Sequence, residues 1–117
     1  MRRAYVHVAV LGMRPDAELR APGAAITAAL CGDWGHEPPC PLAPHHTRAE
    51  RTGDRVLLRT LFATGPAAEQ TVRDRIDHAL TGGRLRGPDA TVTHWRLLTS
   101  GPADVTPEEA ARAERLA

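Results

Sequence analysis

The sequence predicts an α+β fold in which an antiparallel sheet carries its helices on one face. Apolar, β-branched runs at residues 4–12 and 55–64 are typical of strands. After Gly65-Pro66, apolar residues recur at i, i+4 spacing, as on one face of a helix. A chain of 117 residues suits one domain. We therefore expect a single domain over 1–117, with a Pro-, Cys- and His-rich loop at 32–44 and a C-terminal tail at 102–117.

Turn and capping residues set the bounds of the predicted elements. Pro22 suits the first turn of a helix, and Gly82-Gly83 ends a second one. Thr52-Gly53-Asp54 predicts a hairpin turn, and Thr106-Pro107-Glu108-Glu109 is a capping box that begins a short terminal helix. In chain order we expect a strand at 4–12, a helix at 22–31, strands at 45–51 and 55–64, a helix at 66–81, a strand at 90–99 and a helix from 107. This is the ferredoxin-like pattern βαββαβ, in which the first strand lies between the third and the fourth.

Alternation along each strand predicts the face toward which each side chain points. We expect one apolar set to face the helices: Val6, Val8, Val10, Val56, Leu58 and Phe62. The opposite, open face would then carry Tyr5, His7, Arg55, Leu57, Arg59 and Leu61. In the last strand we expect Trp95 and Leu97 to point inward and His94 and Arg96 outward, and Leu98 leaves this register open. On the second helix, Arg73 and Asp77 are expected on the solvent side.

The open face is the predicted binding surface, because a mixture of His, Arg and Leu suits an anion-binding cleft or a partner. The expected ligand-binding residues are Tyr5, His7, Trp34, Arg59, His94 and Arg96. A small dimeric α+β-barrel enzyme is an alternative, with catalytic candidates His7, His45, His46, Arg59 and His94. Exposed leucines on this face favour a homodimer that forms through it.

The segment between Cys31 and His46 contains both cysteines and three histidines. Cys31, His36, Cys40 and His45 are four ligands of the kind that bind tetrahedral Zn²⁺. Their spacing lacks the C-x2-C knuckle that makes zinc motifs specific. The same residues are compatible with a Cys31–Cys40 disulfide, or with a loop stiffened by prolines that has a buried thiol and exposed histidines.

Composition excludes several classes of function. A formal net charge of +1 gives no strong attraction to nucleic acids or anionic membranes. Tyr5 alone offers an aromatic ring on the open face, too few for RNA bases to stack on. No apolar run approaches the roughly eighteen residues of a membrane span, and no signal-peptide cleavage site is recognisable, so we expect a cytoplasmic protein.

Catalytic motifs are likewise absent from the sequence. It contains no P-loop, GxGxxG, GxSxG or HExxH motif, and its one serine, Ser100, leaves little room for a serine nucleophile. The favoured function is a small-ligand or metal-binding module that uses the Cys31–His46 segment and the open face. The alternatives are the dimeric enzyme and an accessory or immunity-type subunit that binds another protein.

Overall fold

The computed structural model of the chain describes residues 3–31, 43–87 and 90–116. This part of the chain contains six strands and three α-helices. They are β1 (Arg3–Gly12), α1 (Ala21–Cys31), β2 (His45–Thr52), β3 (Arg55–Thr64), α2 (Glu69–Thr81), β4 (Arg84–Arg86), β5 (Val92–His94), β6 (Arg96–Ala103) and α3 (Pro107–Leu116). A turn of 3-10 helix at Pro66–Ala68 leads into α2. The described helices are all too short or too polar to cross a bilayer.

The main sheet has four antiparallel strands in the order β2-β3-β1-β6. Strands β4 and β5 form a separate two-stranded hairpin. The predicted α+β class, with a four-stranded antiparallel sheet, is therefore confirmed. A third helix, α3, completes the fold.

The larger apolar core lies between this sheet and the helices α1 and α2. Val56, Leu58 and Phe62 of β3 point into it, as their alternation predicts. The apolar residues that recur at i, i+4 spacing along α2 are buried as predicted, as Val72, Ile76 and Leu80 show. Trp95 is 7% exposed and belongs to the same core, which confirms its prediction as a core residue.

The predicted facing of β1 is wrong. Tyr5 and Ala9 pack into the core beneath α1 and α2, whereas Val6 packs with Leu61 and Ala113 on the other face. The cause is that both faces of β1 are covered, so its two alternating sets are almost equally apolar. A one-residue error in register then moves every side chain to the opposite face.

The second face of the sheet is partly covered by α3 and is not fully open. The predicted capping box of this helix is present: Thr106 Oγ1 accepts a hydrogen bond from the Glu109 amide at 3.2 Å, and the Thr106 amide donates to Glu109 Oε1 at 2.9 Å. Arg59 reaches the same carboxylate from β3, and its Nε lies 2.7 Å from Glu109 Oε2. The helix thus covers the half of the face that contains Val6 and Leu61.

The predicted last strand at 90–99 is also wrong in its bounds. The fourth strand of the sheet is β6, which includes Gly101 and Pro102, while Val92–His94 forms the hairpin with Arg84–Arg86, a segment for which no strand was predicted. Proline removes a ladder donor, so Gly101-Pro102 looks like the end of a strand. At the edge of a sheet this loss is tolerated, because the outward N–H has no ladder partner.

Candidate functional site

A cleft of about 1600 Å³ opens at the end of the sheet where β1 finishes. One wall is the connection from β1 to α1, and the other is the β4–β5 hairpin. Both walls supply apolar surface to the cleft, from Met13, Ala17, Leu19, Leu85 and Trp95. Ligand sites are usually concave and mostly apolar, with a few well-placed polar groups. This cleft has that composition.

The hairpin wall is attached to the end of α2 through Trp95. Its indole Nε1 donates to the Leu80 carbonyl at 2.9 Å, and its backbone N–H donates to the Gly83 carbonyl at 2.9 Å. Gly83 has a φ of +70°, and a Cβ at this position would lie 2.8 Å from the Trp95 carbonyl oxygen. Glycine is therefore required at this turn for two reasons, the backbone conformation and the close approach.

The opposite wall is held by Arg51 of β2. Its Nη1 donates to the Pro15 carbonyl and its Nη2 to the Ala17 carbonyl, both at 2.7 Å. Within the described part of the chain, Arg51 Nε has no hydrogen-bond partner and the guanidinium forms no ion pair. The cleft therefore contains a partly buried cation that has no carboxylate partner among the described residues.

The remaining charges at the cleft are unevenly paired. Arg14 lies 3.4 Å from Asp16, and Asp54 lies 3.7 Å from Arg55. The other cleft arginines, Arg20 and Arg96, form no ion pair with any described residue. One cleft acid, Glu18, also forms no ion pair with a described residue, and it accepts a hydrogen bond from the Arg20 amide at 3.1 Å. Among the described residues the unpaired arginines Arg20, Arg51 and Arg96 thus outnumber this one unpaired acid, which favours an anionic ligand.

The sequence-predicted ligand-binding residues are divided between different places. His94 and Arg96 line the cleft. Arg59 is bound to Glu109 on the other face of the sheet, and Tyr5 stacks on Phe62 in the core with ring centroids 5.5 Å apart. Trp34 lies outside the described residues. The structure thus brings His94 and Arg96 together, and it separates them from Tyr5 and Arg59.

His7 lies in a buried polar network between β1 and α2. Arg73 Nη1 lies 3.1 Å from His7 Nδ1 and donates to the Val6 carbonyl at 2.9 Å. A guanidinium can only donate, so Nδ1 must accept and the ring proton must be on Nε2. Nε2 in turn donates to Asp77 Oδ1 at 2.8 Å. The geometry therefore selects the neutral Nε2–H tautomer of His7.

The prediction that Arg73 lies on the solvent side is wrong. Arg73 is 6% exposed, and its guanidinium lies over the rings of Tyr5 and Phe62, at 5.9 and 5.4 Å from their centroids. Glu69 accepts from its Nε at 2.8 Å. Asp77 is 41% exposed but faces the sheet side, where it accepts from both His7 and Ser100. An apolar stripe locates the buried face of a helix, but it cannot show that a cation at the border of the stripe is buried.

Most of the predicted metal-binding set lies outside the described residues: His36, Cys40 and the side chain of Cys31. His45 is described: its Nδ1 donates to the Ala43 carbonyl at 3.1 Å, and its Nε2 accepts from Thr27 Oγ1 at 2.9 Å. In the residues that the structure describes, no group of three or more His, Cys, Asp or Glu side chains could hold a metal ion. A metal site in this segment therefore stays a prediction.

The candidate catalytic histidines do not meet at one site. His7 contacts α2 and His45 contacts α1, and His94 lines the cleft on β5. The next residue of β2, His46, points to the opposite face from His45. Burial lowers the pKa of His46, and the nearby positive charges of Arg112 and Arg48 lower it further. Within one chain the described histidines therefore lie at separate places, and the dimeric-enzyme alternative stays a prediction.

Comparison with known proteins leaves function to be argued from this geometry. No known family, curated protein or solved structure was found to match the chain. The cleft was missed at the sequence level because Arg51, which holds one of its walls, lies at the end of a weakly alternating strand. One signal was available: Arg51 falls in the inward-facing set with Ala49, and an arginine at such a position needs buried partners.

Proposed function

We propose that this protein is a binding module for a small organic molecule that has an anionic group and an apolar body. The ligand occupies the cleft between the β1–α1 connection and the β4–β5 hairpin. The observation that carries this proposal is the guanidinium of Arg51, which is partly buried at the cleft and has no carboxylate partner among the described residues. An anion near this charge would gain more than it would at an exposed arginine, because the surroundings screen it less.

The other groups of the cleft support the same class of ligand. Arg20 and Arg96 add positive charge at the rim, and both can donate to a carboxylate or phosphate. Leu85 and Trp95 offer an apolar surface on which a ring or an alkyl chain can pack. The volume of about 1600 Å³ exceeds that of most small-molecule pockets, so the ligand fills only part of it.

A matched pair of probes tests this proposal: 2-naphthoate, an apolar anion, and 2-naphthamide, its neutral analogue. Titration is followed by NMR at the indole N–H of Trp95. We expect saturable binding of naphthoate and binding of the amide that is roughly tenfold weaker. Arg96→Met should weaken the binding of naphthoate by a similar factor, whereas Arg86→Met, an exposed arginine on β4 outside the cleft, should leave it unchanged.

Two results would contradict the proposal. One is the absence of saturable binding of either probe at the Trp95 signal. The other is equal binding of naphthoate and naphthamide together with equal effects of Arg96→Met and Arg86→Met, since the cleft would then have no preference for an anion.

A second candidate function is zinc binding by Cys31, His36, Cys40 and His45, and the ring orientation of His45 favours it. Because Nδ1–H donates to a backbone carbonyl, Nε2 is the acceptor nitrogen, which is the arrangement that metal-binding histidines use. Thr27, which donates to Nε2, lies on α1, the helix that ends at Cys31. His45 of β2 thus contacts the helix whose last residue is the other potential ligand.

Elemental analysis of protein purified without a histidine tag tests the zinc proposal. We expect about one zinc per chain, because a structural site is nearly fully occupied. His45→Ala should lose the metal, and His78→Ala, an exposed histidine on α2, should keep it. A zinc content below about 0.2 per chain in the wild-type protein would reject the site.

The finer features of the fold are also proposals. We propose that the sheet is of the ferredoxin-like class, with the β4–β5 hairpin inserted before the last strand, and the order β2-β3-β1-β6 supports this. A cytoplasmic location and a role as a protein-interaction subunit stay predictions from the sequence.

A further inference from the structure

Among the described residues, strand β2 forms one edge of the main sheet, with β3 as its neighbour. The Ala63 amide donates to the Pro44 carbonyl at 3.1 Å, so Pro44 and every second residue after it bond to β3. In an antiparallel ladder the bonding direction alternates, so the backbone groups of Thr47, Ala49 and Arg51 point away from β3. Within the described part of the chain, these groups have no backbone partner.

The exposed side chains of β2 are charged in a self-complementary pattern. Arg48 and Glu50 are 63% and 60% exposed and lie 3.6 Å apart. A twofold axis at Ala49 would place Arg48 of one copy opposite Glu50 of the other, and Glu50 opposite Arg48. These would be non-hydrogen-bonded positions, where opposing side chains approach most closely. The same register pairs Thr47 with Arg51, and each presents its outward-pointing N–H and C=O to the other copy.

Helix α1, which runs beside β2, carries no charged residue over its eleven positions. Thr27 is its one polar side chain. The groove between α1 and β2 has a volume of about 420 Å³ and reaches the core residue Leu58. A helix that is apolar all round is normally covered on every side. Here Gly23, Ala24 and Ala28 are only half-buried by the described residues.

We propose that two copies of this chain associate through β2, pairing antiparallel about Ala49 to form one continuous sheet. The charge pattern favours a second copy as the partner, because the same strand presented in reverse places Glu50 opposite Arg48 and Arg48 opposite Glu50. The small residues of α1 allow the two helices to approach each other beside the paired strands. This interface differs from the sheet-face dimer that the sequence predicts, since α3 occupies half of that face.

Charge reversal at the two positions tests this interface. The wild-type protein is expected to be a dimer when its mass is measured by light scattering over a concentration series. Arg48→Glu and Glu50→Arg each place like charges opposite one another, so each should raise the dimer dissociation constant by at least roughly tenfold. Arg75→Glu, a reversal at an exposed position of α2, should leave the dimer unchanged.

Mixing the two variants separates an interface effect from an effect within one chain. Each single variant has like charges at 48 and 50 within its own strand. An equimolar mixture of Arg48→Glu and Glu50→Arg pairs opposite charges across the interface only in a heterodimer, so the mixture should regain the mass of a dimer. The doubly reversed chain should likewise form a homodimer.

A monomeric wild-type protein would overturn the proposal. A dimer that resists both single reversals would also overturn it, and would place the contact on another surface, such as the uncovered half of the sheet face. Failure of the mixture to associate, when each variant is folded and monomeric, would show that the charges do not oppose each other across a twofold axis.

Discussion

His7 of β1 and Asp77 of α2 are joined by a hydrogen bond of 2.8 Å that connects a central strand to the helix above it. The bond depends on Arg73, one turn earlier on α2, which donates to the other ring nitrogen of His7 at 3.1 Å. Asp77 also accepts a hydrogen bond of 2.7 Å from Ser100 on β6. The network therefore connects β1, β6 and α2, and its polar groups are satisfied by one another.

Replacing Arg73 by methionine should destabilise the protein by about 2–4 kcal/mol. The buried Nδ1 of His7 and the Val6 carbonyl would each lose a donor, and the contact of the guanidinium with Tyr5 and Phe62 would be lost. Arg75→Met, two residues along the same helix and exposed, should change the stability by less than about 0.5 kcal/mol. Urea unfolding measures both, and equal effects of the two variants would refute the buried role of Arg73.

Stability should fall in acid because of Glu109. Its hydrogen bonds with Arg59 hold the pKa of this carboxyl at about 2, below its ordinary value of 4.5. The ionised Glu109 carboxylate therefore makes its full contribution to the free energy of unfolding above pH 4.5, and this contribution is lost as the pH falls through the folded-state pKa near 2. Allowing for solvent screening, Glu109→Gln should cost about 1–2 kcal/mol at neutral pH.

Unfolding of the wild-type protein and of Glu109→Gln is measured between pH 6 and pH 2, because a dependence on pH shows that the charge of the carboxylate is responsible. The difference in the free energy of unfolding between Glu109→Gln and the wild type should become smaller as the pH falls. A difference that stays constant over this range would mean that the Arg59–Glu109 contact contributes nothing through its charge.

Gly83→Ala should lower the free energy of unfolding more than Gly53→Ala does, although both glycines have a positive φ. At Gly53, with φ +62°, a Cβ would meet nothing within 4 Å, so the cost is the backbone conformation alone, about 1 kcal/mol. At Gly83 the Cβ would also press on the Trp95 carbonyl at 2.8 Å, and the hairpin must shift. We expect a cost of about 2–3 kcal/mol in thermal unfolding, with a change in the Trp95 environment. Equal costs would mean that the hairpin moves freely.

The correct predictions concern residues whose structure is determined by their neighbours in the sequence. The capping residues Thr106 and Glu109 form the expected reciprocal bonds, because the two partners are only three positions apart. Val72 and Ile76 are buried as their helical spacing predicts. In these cases neighbours in sequence determine the structure.

The errors concern residues whose environment is made by distant parts of the chain. Val6 and His7 are adjacent in a strand that is apolar on both sides, so nothing local identifies the face on which each lies. That choice depends on α3, which supplies Ala113 to cover Val6, and on α2, which supplies Arg73 and Asp77 to His7. The cleft likewise depends on Arg51, which binds carbonyls 34 and 36 residues away.

By itself, the sequence determined the α+β class, the presence and type of most elements and the turns between them, because these follow from periodicity and from caps within a few residues. The tertiary structure alone decided which face of β1 meets which helix, that a hairpin stands beside the main sheet, and that Arg51 and Trp95 enclose one cleft. These features require contacts between distant segments, and the free energy of such contacts is not recorded in any local pattern.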